Sequence, residues 1–119
     1  MYDHIGLKVT DLAKSVRFYR AALEPLGYAL LSQDESGASF GVEAGAALYL
    51  SRAQGAATAQ LHVALNAPDH AAIARFHDRG LAAGGRDNGK PGPRKAYSPT
   101  YYAAFLLDPD GNNIEAVFT

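Results

Sequence analysis

The stretch HIGLKVTD at His4–Asp11 returns as HVALNAPD at His62–Asp69, an offset of 58 residues. The same offset lays RFYRAALEPLG (Arg17–Gly27) over RFHDRGLAAGG (Arg75–Gly85). Across the 24 ungapped positions from His4 to Gly27, eight are identical: His4/His62, Leu7/Leu65, Asp11/Asp69, Ala13/Ala71, Arg17/Arg75, Phe18/Phe76, Leu23/Leu81 and Gly27/Gly85. A repeat of this length means one supersecondary unit used twice, each copy burying its apolar surface with help from the other. With 119 residues to divide, the expected organisation is a single domain over 1–119, with module one at about 1–57 and module two at about 58–119.

Each copy opens on alternation. Ile5, Leu7 and Val9 share one face of a strand, with His4, Gly6 and Lys8 on the other; Leu61, Val63 and Leu65 likewise oppose His62. Asp11 and Asp69 then stand where helix N-caps belong. Leu12, Val16, Tyr19, Leu23 and Leu26 follow at spacings of four, three, four and three, the stripe of a helix buried on one side. Ile73, Phe76 and Leu81 anchor a weaker second helix, ended by Gly84 and Gly85. Short strands are predicted at about Tyr28–Gln33, Ala38–Val42 and Ala47–Ser51, and again at Tyr101–Leu107 and Asn113–Phe118. Four glycines and three prolines between Gly84 and Thr100 predict mostly loop, with at most a short strand near Gly85–Asn88. The fold class expected is α+β: two tandem βαβββ modules related by a pseudo-twofold axis.

Eleven basic and twelve acidic residues leave a net charge of -1, which argues against nucleic acid as a partner. The absence of cysteine excludes disulfides, thiolate metal sites and a cysteine nucleophile. No secretory leader opens the sequence and no apolar run reaches membrane-spanning length, so a cytoplasmic protein with no membrane contact is the expectation.

One residue breaks the last strand. In NIEAVF, Glu115 lies on the face opposite Ile114, Ala116 and Phe118. His4 and His62 occupy equivalent positions on faces turned away from their helices, and a pseudo-twofold axis could bring the two first strands together. Two imidazoles and a carboxylate suit one divalent ion, with coordination positions left for substrate oxygens; Zn, Mn, Fe, Co and Ni all accept such a donor set. Matching the centres of ALYLS and NIEAV, an offset of 66, puts Tyr49 at the counterpart of Glu115. Tyr49 could line the pocket, donate a hydrogen bond, carry a proton, or simply pack.

The paired modules, the opening DHIGLKVTDLAKSVRFY, the central LHVAL and the closing DPDGNNIEAV resemble the vicinal oxygen chelate superfamily over essentially the whole chain. That superfamily contains glyoxalase I, extradiol dioxygenases, fosfomycin-resistance thiol transferases and bleomycin-binding proteins. The resemblance implies sheets that curl around a cavity, a homodimer, and metal ligands at His4, His62 and Glu115. Glyoxalase I has a glutamate where this chain has Tyr49, which points away from the strict lactoylglutathione lyase reaction. The function expected is a metal-dependent glyoxalase-like enzyme acting on a small molecule with adjacent oxygens, with Glu115 and Tyr49 as catalytic candidates. An extradiol-type dioxygenase and a metal-free drug-binding protein are the alternatives. The segment GRDNGKPGPRKAYSPTYY combines cations with aromatic surface, making Arg94, Lys95, Tyr97, Tyr101 and Tyr102 the candidates for substrate binding.

Overall fold

In a computed structural model, which describes residues 2–43, 45–55 and 60–119, the two modules each fold into a four-stranded mixed sheet covered by one helix. The expected boundary between them, near residues 57 and 58, lies outside the described residues. Module one runs β1 (Ile5–Val9), α1 (Leu12–Leu23), a turn of 3-10 helix (Glu24–Leu26), β2 (Ala29–Gln33), β3 (Gly37–Val42) and β4 (Gly45–Arg52). Module two runs β5 (His62–Asn66), α2 (His70–Ala82), β6 (Arg86–Pro93), β7 (Tyr102–Leu107) and β8 (Asn113–Phe118). The sheet orders are β1-β4-β3-β2 and β5-β8-β7-β6, so each module repeats the other's topology. In both, the first strand runs parallel to the last and the remaining pairs are antiparallel.

The helices start where the sequence places their caps. The Asp11 carboxylate accepts the Lys14 N–H at 3.1 Å, and Asp69 accepts that of Ala72 at 2.7 Å, satisfying donors that a helix start leaves free. After the 3-10 turn, Gly27 takes φ +94°, a left-handed conformation that ends the helical run without a Cβ clash. The apolar stripe of α1 is buried against its own sheet, but Phe18 and Ala22, off that stripe, are buried as well. The cause is α2, which packs on α1. Gly80 lies at the crossing: a Cβ added there would fall 3.4 Å from the Ala22 Cβ and only 2.3 Å from Leu106 Cδ1. Ala22 and Gly80 are repeat-equivalent positions, so the pseudo-twofold axis passes through the meeting of the two helices. A pseudo-twofold axis could have brought the first strands together, but β1 and β5 each form an edge of a separate sheet.

One further difference has a local cause. The proline- and glycine-rich segment forms an eight-residue strand, β6, where mostly loop was expected. It is an edge strand with register shifts beside Gly89, positions where a missing N–H leaves no interior ladder bond unmade. His77 of α2 is buried, with Nε2 2.8 Å from an Asp87 carboxylate oxygen on β6. That hydrogen bond holds the Asp87 carboxyl below its ordinary range. Among the described residues no helix is long and apolar enough to cross a membrane.

A buried hydrogen-bond cluster fastens module one to module two. Asp108, in the β7–β8 turn, accepts the Tyr19 hydroxyl of α1 at 2.5 Å, the backbone N–H of Asp110 and Asn112, and the Asn112 side-chain amide. Burial, and then the Asp108 charge, push the Tyr19 phenol well above its ordinary pKa, so it serves purely as a donor. Nearby, Asp110 accepts both the hydroxyl and the N–H of Thr10, at the end of β1.

Candidate metal and substrate site

Each helix covers one face of its sheet, and the chemistry-bearing residues lie on the other. In module two, Ala64 of β5 is opposite Glu115 of β8, which is opposite Phe105 of β7. In module one, Gly6 is opposite Tyr49, which is opposite Ser39. Gly6 and Ala64 are 58 apart, whereas Tyr49 and Glu115, like Ser39 and Phe105, are 66 apart. The ladder thus makes Tyr49 the positional counterpart of Glu115. It is 45% exposed on the open face.

Glu115 is 2% exposed, an uncommon place for a carboxylate without partners. It has two. Oε1 lies 2.8 Å from His62 Nε2, and Oε2 accepts the Tyr101 hydroxyl. Tyr101 is accordingly pushed up to about 12, chiefly by that hydrogen bond, then by burial and the Glu115 charge, with Tyr97 adding least. The Phe105 ring flanks His62 at 6.2 Å, and the Arg94 guanidinium sits 5.4 Å over Phe105. His62 itself is half-exposed, so the pair opens to solvent on the imidazole side.

The other half of the expected triad is elsewhere. His4 Nδ1 contacts the Asp3 carboxylate at 2.7 Å, and its ring meets Tyr49 edge-on at 5.2 Å. Among the described residues of a single chain, no three His, Asp or Glu side chains are grouped so as to hold a metal ion. One chain therefore presents two separate pairs, His62 with Glu115 on the second sheet and His4, just before β1, with Tyr49 at the first.

The five expected substrate-binding residues also separate. Tyr101 reaches Glu115, and the exposed Tyr97 packs edge-on against Tyr101 at 5.1 Å. Arg94 is turned inwards, donating to the carbonyls of Lys90 at 2.7 Å and Gly92 at 3.0 Å. Lys95 is exposed. Tyr102 points to the helix side, stacked on His70 at 3.8 Å and packed against the core. Phe105, absent from the sequence reading, borders the site; period-two alternation from Ala103 would have placed it there. The direct contact of Tyr101 with Glu115 had no sequence signal.

Two imidazoles and a carboxylate would fit a divalent ion, and the arrangement of Glu115 allows it. A carboxylate can accept roughly four hydrogen bonds, and Glu115 accepts two, which leaves acceptor capacity beside His62.

Residues 2–116 match the family model Glyoxalase/Bleomycin resistance protein/Dioxygenase superfamily. The chain belongs to that superfamily. Among solved structures, a glyoxalase/bleomycin resistance protein from Albidiferax ferrireducens T118 is 30% identical, with 98% of each chain covered and a TM-score of 0.85. A glyoxalase-related enzyme from Fulvimarina pelagi is 23% identical over 100% of this chain and 88% of its own, with a TM-score of 0.77. A lactoylglutathione lyase from Agrobacterium tumefaciens, 20% identical over 98% and 92%, shares the fold with a TM-score of 0.68. No protein of curated function matches the sequence.

Proposed function

We propose that this chain is a glyoxalase-like enzyme that depends on one divalent ion and acts on a small molecule with two adjacent oxygens. Its complete site would be formed between two copies of the chain. The observation that carries this reading is the His62–Glu115 pair on an open sheet face, with His4 at the repeat-equivalent place immediately before β1 of the other sheet. A homodimer that brings the module-one face of one chain to the module-two face of its partner supplies the missing imidazole. His62, Glu115 and the partner's His4 would hold Zn, Mn, Fe, Co or Ni, a choice the donor set leaves open. Such an ion supplies charge stabilisation for an enolate or related anion developing on the substrate.

The chain's own groups have separate tasks. Phe105 and Tyr97 form apolar walls that reduce water access around the carboxylate. Tyr49, across the site from Glu115 in the paired arrangement, would direct its phenol at a substrate oxygen as a hydrogen-bond donor. Lys95, exposed beside the inward-turned Arg94, would favour an anionic substrate.

A second reading, a metal-free small-molecule binder, is favoured by one fact: both Glu115 oxygens already have partners within the single chain. Metal analysis separates the two. The expected result is about one ion per chain in the wild type and loss of most of it in Glu115→Ala, since breaking a three-ligand set removes most of the affinity. Equal metal content in the two proteins would refute the site.

A further inference from the structure

We infer that Tyr101 is a positioning residue that makes Glu115 present a single oxygen to the ion, rather than a residue that binds substrate. This deepens the metal reading above and rests on it. The Tyr101 hydroxyl donates to Oε2 while Oε1 faces His62, so only one oxygen of the carboxylate is left on the imidazole side. With Oε2 engaged, bidentate ligation by Glu115 would require breaking a charge-assisted hydrogen bond.

Tyr101 is held for this task by a closed turn. The Arg94 N–H donates to the Tyr101 carbonyl at 2.7 Å, the Tyr97 N–H to the Arg94 carbonyl at 2.9 Å, and the Tyr101 N–H to the Ser98 carbonyl at 3.4 Å. Arg94 fastens the turn to β6 through the Lys90 and Gly92 carbonyls and to β7 through the Phe105 ring. Tyr97 packs against the Tyr101 ring from outside. A phenol fixed at both its backbone and its ring delivers its hydroxyl with little entropy left to lose, as orientation of a ligand requires. In module one the offset of 66 places exposed Glu35 at the Tyr101 position, so the two pairs differ in their support as well as in their ligands.

The test is Tyr101→Phe in the full chain, which removes one oxygen and keeps the ring. Titration with Co²⁺ is expected to show metal affinity about 10–100-fold weaker, the usual cost of losing a group that orients a ligand. The visible Co²⁺ bands should also weaken as the freed second oxygen of Glu115 raises the coordination number. Ser98→Ala, which keeps the backbone bonds of the same turn and removes no group bonded to Glu115, should bind Co²⁺ like the wild type, and thermal unfolding of both variants checks that they fold. Unchanged affinity and spectrum in Tyr101→Phe would overturn the inference and leave the metal site standing. So would equal weakening in Ser98→Ala, which would assign the effect to the turn rather than the hydroxyl. A wild type that binds no Co²⁺ would overturn both.

Discussion

The division of His4 from His62 and Glu115 makes a quantitative prediction about mixed dimers. His4→Ala removes the module-one ligand and Glu115→Ala the module-two ligand, so neither homodimer retains a complete site. When the two variants pair, one shared site combines both substitutions, and the other combines the intact His4 of one chain with the intact His62 and Glu115 of its partner. Random pairing of equal amounts makes half the dimers mixed, and one site in each is whole, so metal content should recover to about a quarter of wild type. Neither substitution should unfold the chain on its own. His4 is exposed, and Glu115→Ala removes a buried charge whose two partners, His62 and Tyr101, can turn to water. The assay is metal content after co-refolding, with differently tagged chains to show that mixed dimers formed. Recovery to about a quarter supports sites shared between chains. Tagged mixed dimers whose metal content stays at the level of the separate variants would refute the shared site.

Three further outcomes follow from the fold. Tyr19→Phe deletes the buried hydroxyl bonded to Asp108 and should cost about 2 kcal/mol, the scale of a hydrogen bond to a charged group. For a domain of this length that lowers the melting point by roughly 8 °C, and a shift under about 2 °C would show that the cluster does not fasten the modules. Gly80→Ala places a methyl against the fully buried Leu106 at the helix crossing; overpacking should outweigh a helix-propensity gain of about 1 kcal/mol and leave a net loss of roughly 1–2 kcal/mol by denaturant unfolding. A more stable variant would mean that Leu106 of β7 can repack at no cost. Tyr49→Glu, on an open face, should change stability by no more than about 0.5 kcal/mol and tighten metal retention through an added oxygen ligand. Poorer retention would remove Tyr49 from the site.

The sequence determined whatever depends on the period of the backbone. Alternation in Ile5–Val9 and Asn113–Phe118 assigned faces, and Asp11 and Asp69 assigned helix starts; the structure has all of these. The internal repeat fixed the topology, because a second copy of a pattern folds under the same local rules as the first. It even carried the counterpart relation of Tyr49 and Glu115 across an insertion, since ladder register preserves what chain numbering shifts. Only the tertiary structure decided how the copies dock. Repeated modules can meet through their first strands or through their helices with the same hydrophobic pattern, and here α1 and α2 pack together, with Phe18 so close to Gly85 that a Cβ there would fall 2.4 Å from its ring. That choice left His4, His62 and Glu115 ungrouped within one chain, an outcome the sequence pattern left open. The contacts of Tyr101 with Glu115, Tyr19 with Asp108 and His77 with Asp87 belong to the same class. Each joins side chains on different elements, and their meeting depends on the final packing of those elements, which no local period encodes.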